Sequence, residues 1–437
     1  MSTALLTDHY ELTMLQAALR SGAAMRRSVF EVFARRLPDG RRYGVVAGTG
    51  RLLDALENFR FEQPELDRLA ASHVVDDSTL QWLADYRFGG TMWGYGEGDC
   101  YFPGSPILVV EGTFAEAVLL ETLVLSILNH DSAVAGAASR MVTAAMGRPC
   151  IEMGSRRTHE WAAVAAARAA YVSGFATTSN LEAGRSYGVP TAGTAAHAFT
   201  LLHDDEREAF QVQVASLGPQ TTLLVDTYDV AAAVRTAVEI AGPALGAVRL
   251  DSGDLVTQAR AVRRQLDELG ATATRIIVTS DLDEFAIAAL GAAPVDAYGV
   301  GTSLVTGSGA PTAGLVYKLV AREAEIGSAA QGVPLVSVAK RSIDKVSVGG
   351  RKWALRRRSP GGTAQAEVIG IGAAPEDDGD DRLLLRELVT EGKIVGAESL
   401  QAARERHELA LAELPETGHQ LSRGIPAIPT TYEGDYP

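Results

Sequence analysis

Between residues 221 and 304 the chain repeats one plan four times: an apolar run of strand length, a tip of acidic, hydroxyl or glycine residues, then a helix-length segment. The tips read Val225-Asp226-Thr227-Tyr228-Asp229, Arg249-Leu250-Asp251-Ser252-Gly253-Asp254, Thr279-Ser280-Asp281 and Gly299-Val300-Gly301-Thr302-Ser303. Strands alternating with helices predict a parallel sheet covered on both faces, and such strands gain nothing structurally from polar ends. Polar groups recurring there mark the ligand-facing rim of a parallel α/β barrel, so the site is expected at these tips. The intervening helix fits: Leu255, Ala259, Val262, Leu266 and Leu269 share one face, and Gly270 stands where a helix commonly stops.

At 437 residues the chain exceeds one core of ordinary size. An α+β domain is expected over 1–125, an α/β barrel over 126–317, and a strand-rich segment over 318–437. The first holds a helix near 7–20 and a strand near 28–33. The last holds a hairpin turn at Gly349-Gly350, a basic strand from Lys352 to Arg358 and an exposed acidic loop from Pro375 to Asp381. A formal charge of -14 and a pI near 5.1 exclude nucleic acid and anionic membrane as partners for the surface as a whole. Two cysteines without metal-type spacing indicate neither a disulfide framework nor a zinc site. With no leader pattern and no long apolar run, a soluble, cytoplasmic protein is expected.

His197, in Gly193-Thr194-Ala195-Ala196-His197, follows the strand-like stretch 188–192 and is expected at a strand end. Imidazole there serves as a base or as a nucleophile that takes a phosphoryl group, with Asp226 as the carboxylate that fixes its tautomer. A purely structural histidine is the competing reading. Asp251 and Asp254 share one turn, suited to a ribose diol or to a magnesium ion held through water, although Asp254 equally suits a helix cap. Gly299 to Ser303 combines open backbone N–H groups with hydroxyls, as phosphate cradles do, with Thr279-Ser280 as a second donor pair; a bare turn is the alternative. Arg156, Arg157 and Arg249 at strand ends form a candidate anion pocket, against the default of solvated ion pairs.

Taken together in order, Thr7 to Met14, Glu152 to Arg157, Gly174 to Asn180, Gly193 to His197, Val225 to Asp229, Arg249 to Leu255 and Tyr298 to Ser303 resemble the nicotinate phosphoribosyltransferase family. The resemblance implies an irregular α/β barrel of the type II phosphoribosyltransferase kind beside an α+β domain built from both chain ends. It implies an ATP-coupled carbon–nitrogen ligase that joins nicotinate to phosphoribosyl pyrophosphate in the first step of NAD salvage. His197 would then be phosphorylated by ATP with Asp226 orienting it. Tyr10, Thr194 and Arg249 would contact nicotinate, and Ser179 would stand where relatives that use nicotinamide carry aspartate. Arg156, Arg157, Asp251, Ser280, Gly301 and Thr302 would hold phosphoribosyl pyrophosphate. Magnesium would accompany the phosphates, and a homodimer would complete each pocket. The short C-terminal region without clustered cysteines implies that a metal-bearing appendage of some members is absent.

Two other classes fit part of the pattern. A sugar-phosphate aldolase or isomerase explains the phosphate loop and the acids, but no lysine stands at a barrel strand end for a Schiff base. A nucleotide-sensing module explains the pocket but not the His197 and Asp226 pair.

Overall fold

The computed structural model describes residues 2–325, 334–340 and 347–434. The chain divides into two compact units, 134–311 and a second made of 1–133 with 312–437. The division falls inside the helix Glu121–Ala145, so one continuous helix leads from the N-terminal segment into the first unit. The boundaries lie inside those drawn from the sequence at 125/126 and 317/318.

Residues 134–311 carry six parallel strands: β1 (Cys150–Glu152), β2 (Thr177–Thr178), β3 (Thr222–Leu224), β4 (Ala247–Leu250), β5 (Arg275–Val278) and β6 (Ala297–Val300). Their order in the sheet is β2-β1-β6-β5-β4-β3, a curled, incomplete barrel. The last strand returns beside the first, so tips distant in sequence become neighbours. Leu223, Leu224, Val248, Leu250, Ile276, Val278, Tyr298 and Val300 are all buried. Each such aliphatic side chain contributes roughly 1.5–3 kcal/mol on leaving water. The helix Leu255–Glu268 buries Ala259, Val262 and Leu266, starts at an Asp254 cap and is followed by Gly270 at φ +77°.

One expectation fails in this unit. Residues 188–192 form no strand, only a single bridge between Thr178 and Thr191. Gly188, at φ +69°, ends the helix Leu181–Tyr187, and Pro190 has no N–H for a ladder. His197 therefore opens a short helix, His197–Leu202, instead of ending a strand.

In the second unit the strand Arg27–Ala34 pairs antiparallel with Leu108–Thr113 on one side and Leu315–Glu323 on the other, so both chain segments share one seven-stranded sheet. The basic strand Lys352–Arg358 is neutralised from within. Lys352 Nζ lies 2.5 Å from Glu31, and the fully buried Arg356 lies 3.5 Å from Glu367, which also accepts from Tyr95 at 2.6 Å and Ser105 at 2.7 Å. The hairpin turn falls at 359–363 instead of Gly349-Gly350, because Lys352–Arg358 pairs forward with Ala364–Ile371 and Ser359 N–H bonds Thr363 O. Pro375 to Asp381 is mostly exposed, with Asp381 tied to Arg357 at 3.2 Å.

His407 is buried in this unit, its Nδ1 3.0 Å from Gly98 O, and burial pushes the imidazole down to about 4. The folded value lies below the unfolded one near 6.5, so the neutral ring stabilises the fold above that pH, and the stabilisation is lost as pH falls from 6.5 towards 4. Buried glutamates such as Glu31 and Glu367, raised by burial, act in the opposite sense, so the histidine is isolated by difference. Between pH 7 and pH 4 the advantage of the wild type over His407→Gln in urea unfolding is expected to shrink by about 3 kcal/mol. An advantage that does not change with pH would refute this.

Candidate functional site

The tips of β1, β4, β5 and β6 converge on a cavity of about 220 Å³ lined by Met153, Arg156, Arg157, Arg249, Asp251, Thr279, Ser280, Asp281, Gly299, Gly301 and Thr302, and the tip of β3 joins its rim through Asp226. Larger hollows exist elsewhere, including one of about 700 Å³ along the helix Leu400–Ala412, but its arginines Arg382 and Arg406 are already paired with Asp99, Glu413 and Glu398. The smaller cavity brings together two arginines that make no ion pair among the described residues, hydroxyls and glycines.

Strand geometry places the central residues. Arg249 lies within β4, its side chain only 12% exposed, and its guanidinium spans the mouth. Nη1 donates to Thr194 Oγ1 at 2.8 Å and to Ala195 O at 3.2 Å, Nε to Thr279 Oγ1 at 3.1 Å, and Nη2 to Asp251 Oδ1 at 3.1 Å. Thr279 also donates to Asp251 Oδ1. Burial works to raise the Asp251 carboxyl, but the bonds from Thr279 and Arg249 prevail and hold it below the usual carboxylate range. The loop 193–196, which has no regular structure of its own, is thereby pinned to the barrel by an arginine from a strand.

Asp226 is almost fully buried at the tip of β3, and its two oxygens are divided between two tasks. Oδ1 lies 3.2 Å from His197 Nε2; Oδ2 accepts from Asp251 N at 2.8 Å and Ser252 Oγ at 2.8 Å. A carboxylate facing Nε2 favours the proton there, leaving the Nδ1 lone pair free. The ring itself is 40% exposed, open to a reactant.

At the phosphate-sized end, Gly299 cannot carry a side chain: a Cβ would stand 2.5 Å from Thr279 Cγ2 and 2.8 Å from Met153 Sδ. Ser280 holds φ +132°, a strained value for a residue with a side chain, and strain of this kind costs roughly 1–3 kcal/mol and gathers at functional sites. Thr302 is exposed at the mouth. Arg156 and Arg157 are exposed and make no ion pair among the described residues. Two unneutralised guanidinium groups beside a small cavity, in a chain of net charge -14, favour an anionic ligand.

Other expected residues fall differently. Ser179 is exposed at the tip of β2, next to β1, and its N–H bonds Glu152 O at 2.8 Å, but it does not line the cavity. Asp254 is a helix cap, its Oδ1 accepting Thr257 N at 3.1 Å. Tyr10 belongs to the other unit, exposed on the helix His9–Ser21, where partial desolvation and then Glu121 raise its hydroxyl to about 12. Glu206 escaped sequence reasoning, while Glu152 and Asp281 stood within motifs the sequence singled out but were given no role of their own. Asp281 lines the cavity from the tip after β5. Glu206 sits in the first turn of the helix Glu206–Leu217, raised to about 7 by burial and then by Asp229 and Asp226, with no hydrogen-bond partner for Oε1. Only folding brings it near the pair, and its local sequence has no distinguishing mark.

The N-terminal domain model of nicotinate phosphoribosyltransferase matches residues 5–129. Nicotinate phosphoribosyltransferase pncB1 of Mycobacterium tuberculosis H37Rv is 60% identical over 435 residues, spanning 98% of this chain and 94% of its own. The chain belongs to the nicotinate phosphoribosyltransferase family. The Bacillus subtilis nicotinate phosphoribosyltransferase is 37% identical over 365 residues, covering 81% of this chain and 73% of that one. Human nicotinic acid phosphoribosyltransferase superposes with a TM-score of 0.81 at 25% identity, covering 98% of both chains. A Pyrococcus furiosus nicotinate-nucleotide pyrophosphorylase shares the fold, with a TM-score of 0.75 at 23% identity. Among the described residues of this family member, no helix is long and apolar enough to cross a membrane.

Proposed function

We propose that the enzyme joins nicotinate to the ribose of phosphoribosyl pyrophosphate, forming nicotinate mononucleotide for NAD synthesis, and that it drives this transfer with ATP through a phosphohistidine at His197. The observation that carries the reading is the division of Asp226 between His197 and the Asp251-Ser252 turn, which links a nucleophile to the rim of an arginine-lined cavity suited to anions.

In the transfer step the pyridine nitrogen attacks ribose C1 as the C1–oxygen bond to pyrophosphate breaks. The nitrogen lone pair becomes the new bond, and the bonding pair leaves with the pyrophosphate. Positive charge builds on the ribose, where Asp251 offers a carboxylate kept ionised by Thr279 and Arg249. Arg249, with Thr194, would take the nicotinate carboxylate, and Tyr10 would be brought to the pyridine ring by a second copy in a homodimer. Arg156, Arg157, Ser280, Gly301 and Thr302 would receive the phosphates.

In the energy step His197 Nδ1 attacks the γ-phosphorus of ATP, ADP leaves, and water later releases phosphate. Asp226 keeps the Nε2 proton and balances the charge on the ring. Magnesium fits as a passenger of the phosphates: among the described residues the one cluster of three metal-capable groups is Asp377, Asp378 and Asp381, remote in sequence from the cavity. The ion would neutralise the leaving pyrophosphate, with Asp281 reaching its water shell.

Product analysis with nicotinate, nicotinamide and quinolinate offered separately tests substrate and reaction together. Mononucleotide from nicotinate alone is expected; none from it would refute the proposal. The sugar-phosphate aldolase alternative is disfavoured because no lysine lines the cavity. Selectivity rests on a neutral Ser179 and a cationic Arg249. Ser179→Asp is expected to lower kcat/KM for nicotinate at least about tenfold, or about 1.4 kcal/mol, by repulsion of the carboxylate. Unchanged nicotinate kinetics would remove Ser179 from this role.

A further inference from the structure

The tips of β1 and β2 are closed into a hydrogen-bonded ring. Glu152, fully buried, accepts from Gly154 N–H with one carboxylate oxygen and from the Thr178 hydroxyl with the other. Thr178 Oγ1 accepts from Asn180 N–H at 2.9 Å, and Asn180 Nδ2 donates to Ser155 Oγ at 3.0 Å, which returns the chain of bonds to the β1 tip. The backbone adds Ser179 N–H to Glu152 O at 2.8 Å and Met153 N–H to Val300 O at 2.8 Å. Gly154 is wedged against the next tip: a Cβ there would stand 2.2 Å from Val305 Cγ1 and 3.1 Å from Gly301 O. One buried carboxylate thus ties together the loop that carries Arg156 and Arg157, the tip that carries Ser179, and, through Gly154, the glycine loop at 299–303.

We infer that Glu152, Thr178, Asn180 and Ser155 are positioning residues: the ring presets the two arginines for the pyrophosphate of phosphoribosyl pyrophosphate, and it couples their position to the tip bearing Ser179. This rests on the function proposed above for the same cavity. The arginines are exposed and held by no ion pair among the described residues, so their reach depends on the backbone of residues 153–157. That backbone is fixed where Glu152 holds Gly154. A loop free to wander must be ordered when the anion binds, and the cost appears as weaker binding. Burial raises the Glu152 carboxyl above its ordinary value, while the bonds from Thr178 and Gly154 act to lower it, so loss of either donor leaves an oxygen without compensation.

Thr178→Val keeps the shape and removes the hydroxyl. It is expected to raise KM for phosphoribosyl pyrophosphate about fivefold or more while kcat changes less than about threefold. Thr178→Ser, which restores the hydroxyl, is expected to recover most of the lost affinity. Ser155→Ala, outside the buried core, is expected to raise the same KM about fourfold, and the two effects combined to be less than additive because they open one ring. Amide hydrogen exchange at Gly154 is expected to quicken in Thr178→Val, although the substitution lies on the other tip. A KM within twofold of wild type in both Thr178→Val and Ser155→Ala overturns the inference, as does unchanged exchange at Gly154. If Thr178→Val does not fold, Ser155→Ala decides. A wild type that makes no mononucleotide sinks the proposed reaction instead, and the exchange measurement still decides whether the ring holds the loop.

Discussion

His197→Ala is expected to abolish acid-labile labelling of the protein by γ-labelled ATP and to eliminate nicotinate-dependent ATP hydrolysis, with coupled turnover falling about a hundredfold or more. The ring is the group at the rim that combines a free nitrogen with a carboxylate partner: Nε2 faces Asp226 at 3.2 Å and the ring is 40% exposed. Alanine removes the phosphoryl acceptor and leaves Asp226 its bonds to Asp251 N–H and Ser252, so the turn keeps two of its ties and the fold should survive. Asp226→Asn is a different perturbation. It weakens the grip on the Nε2 proton and on the Asp251-Ser252 turn at once, so both labelling and nicotinate transfer are expected to fall. Retained labelling in His197→Ala would show that the phosphoryl group is carried elsewhere or not at all. The same variant showing normal ATP hydrolysis would end the phosphohistidine reading.

Arg249→Ala is expected to lower kcat/KM for nicotinate by about a hundredfold, or about 2.7 kcal/mol, with a smaller loss for any residual turnover of nicotinamide. The guanidinium makes four bonds that pin residues 194–195, Thr279 and Asp251 around one charge, and it is nearly buried. Its removal deletes the cation that would pair with the substrate carboxylate and strips Asp251 of an ion pair. Arg249→Lys keeps the charge but loses the planar fork, so only part of the activity is expected to return. Equal losses for acid and amide would show that Arg249 braces the rim without reading the carboxylate. A loss below threefold would exclude it from the site.

The rim was readable because buried parallel strands are almost uniformly apolar, so Asp226, Arg249, Asp251 and Ser280 stood out against Leu223, Val248 and Ile276. Asp254 shows the limit of that signal: the same residue type in the same turn caps a helix, and only its bond to Thr257 separates the two roles. His197 was found by its neighbours while its local structure was misread, since the helix it opens is six residues long and has little periodicity to detect. What neutralises the basic strand Lys352–Arg358 was not legible, because its counter-charges, Glu31 and Glu367, come from strands far away or across a hairpin. Glu206 was invisible, since a helix-starting glutamate acquires a raised carboxyl only from the burial and then from the carboxylates Asp229 and Asp226 that folding brings to it.

The sequence by itself determined the alternation of strands and helices, the polar tips, the caps and the ordered motifs that place the chain in its family, because each depends on residues within one or two turns of one another. The tertiary structure alone decided the strand order that returns β6 to β1, the four-way grip of Arg249, the division of Asp226 between two partners and the closed ring through Glu152. Those are distances between residues far apart in the chain, and the packing that sets them depends on every layer of the barrel at once.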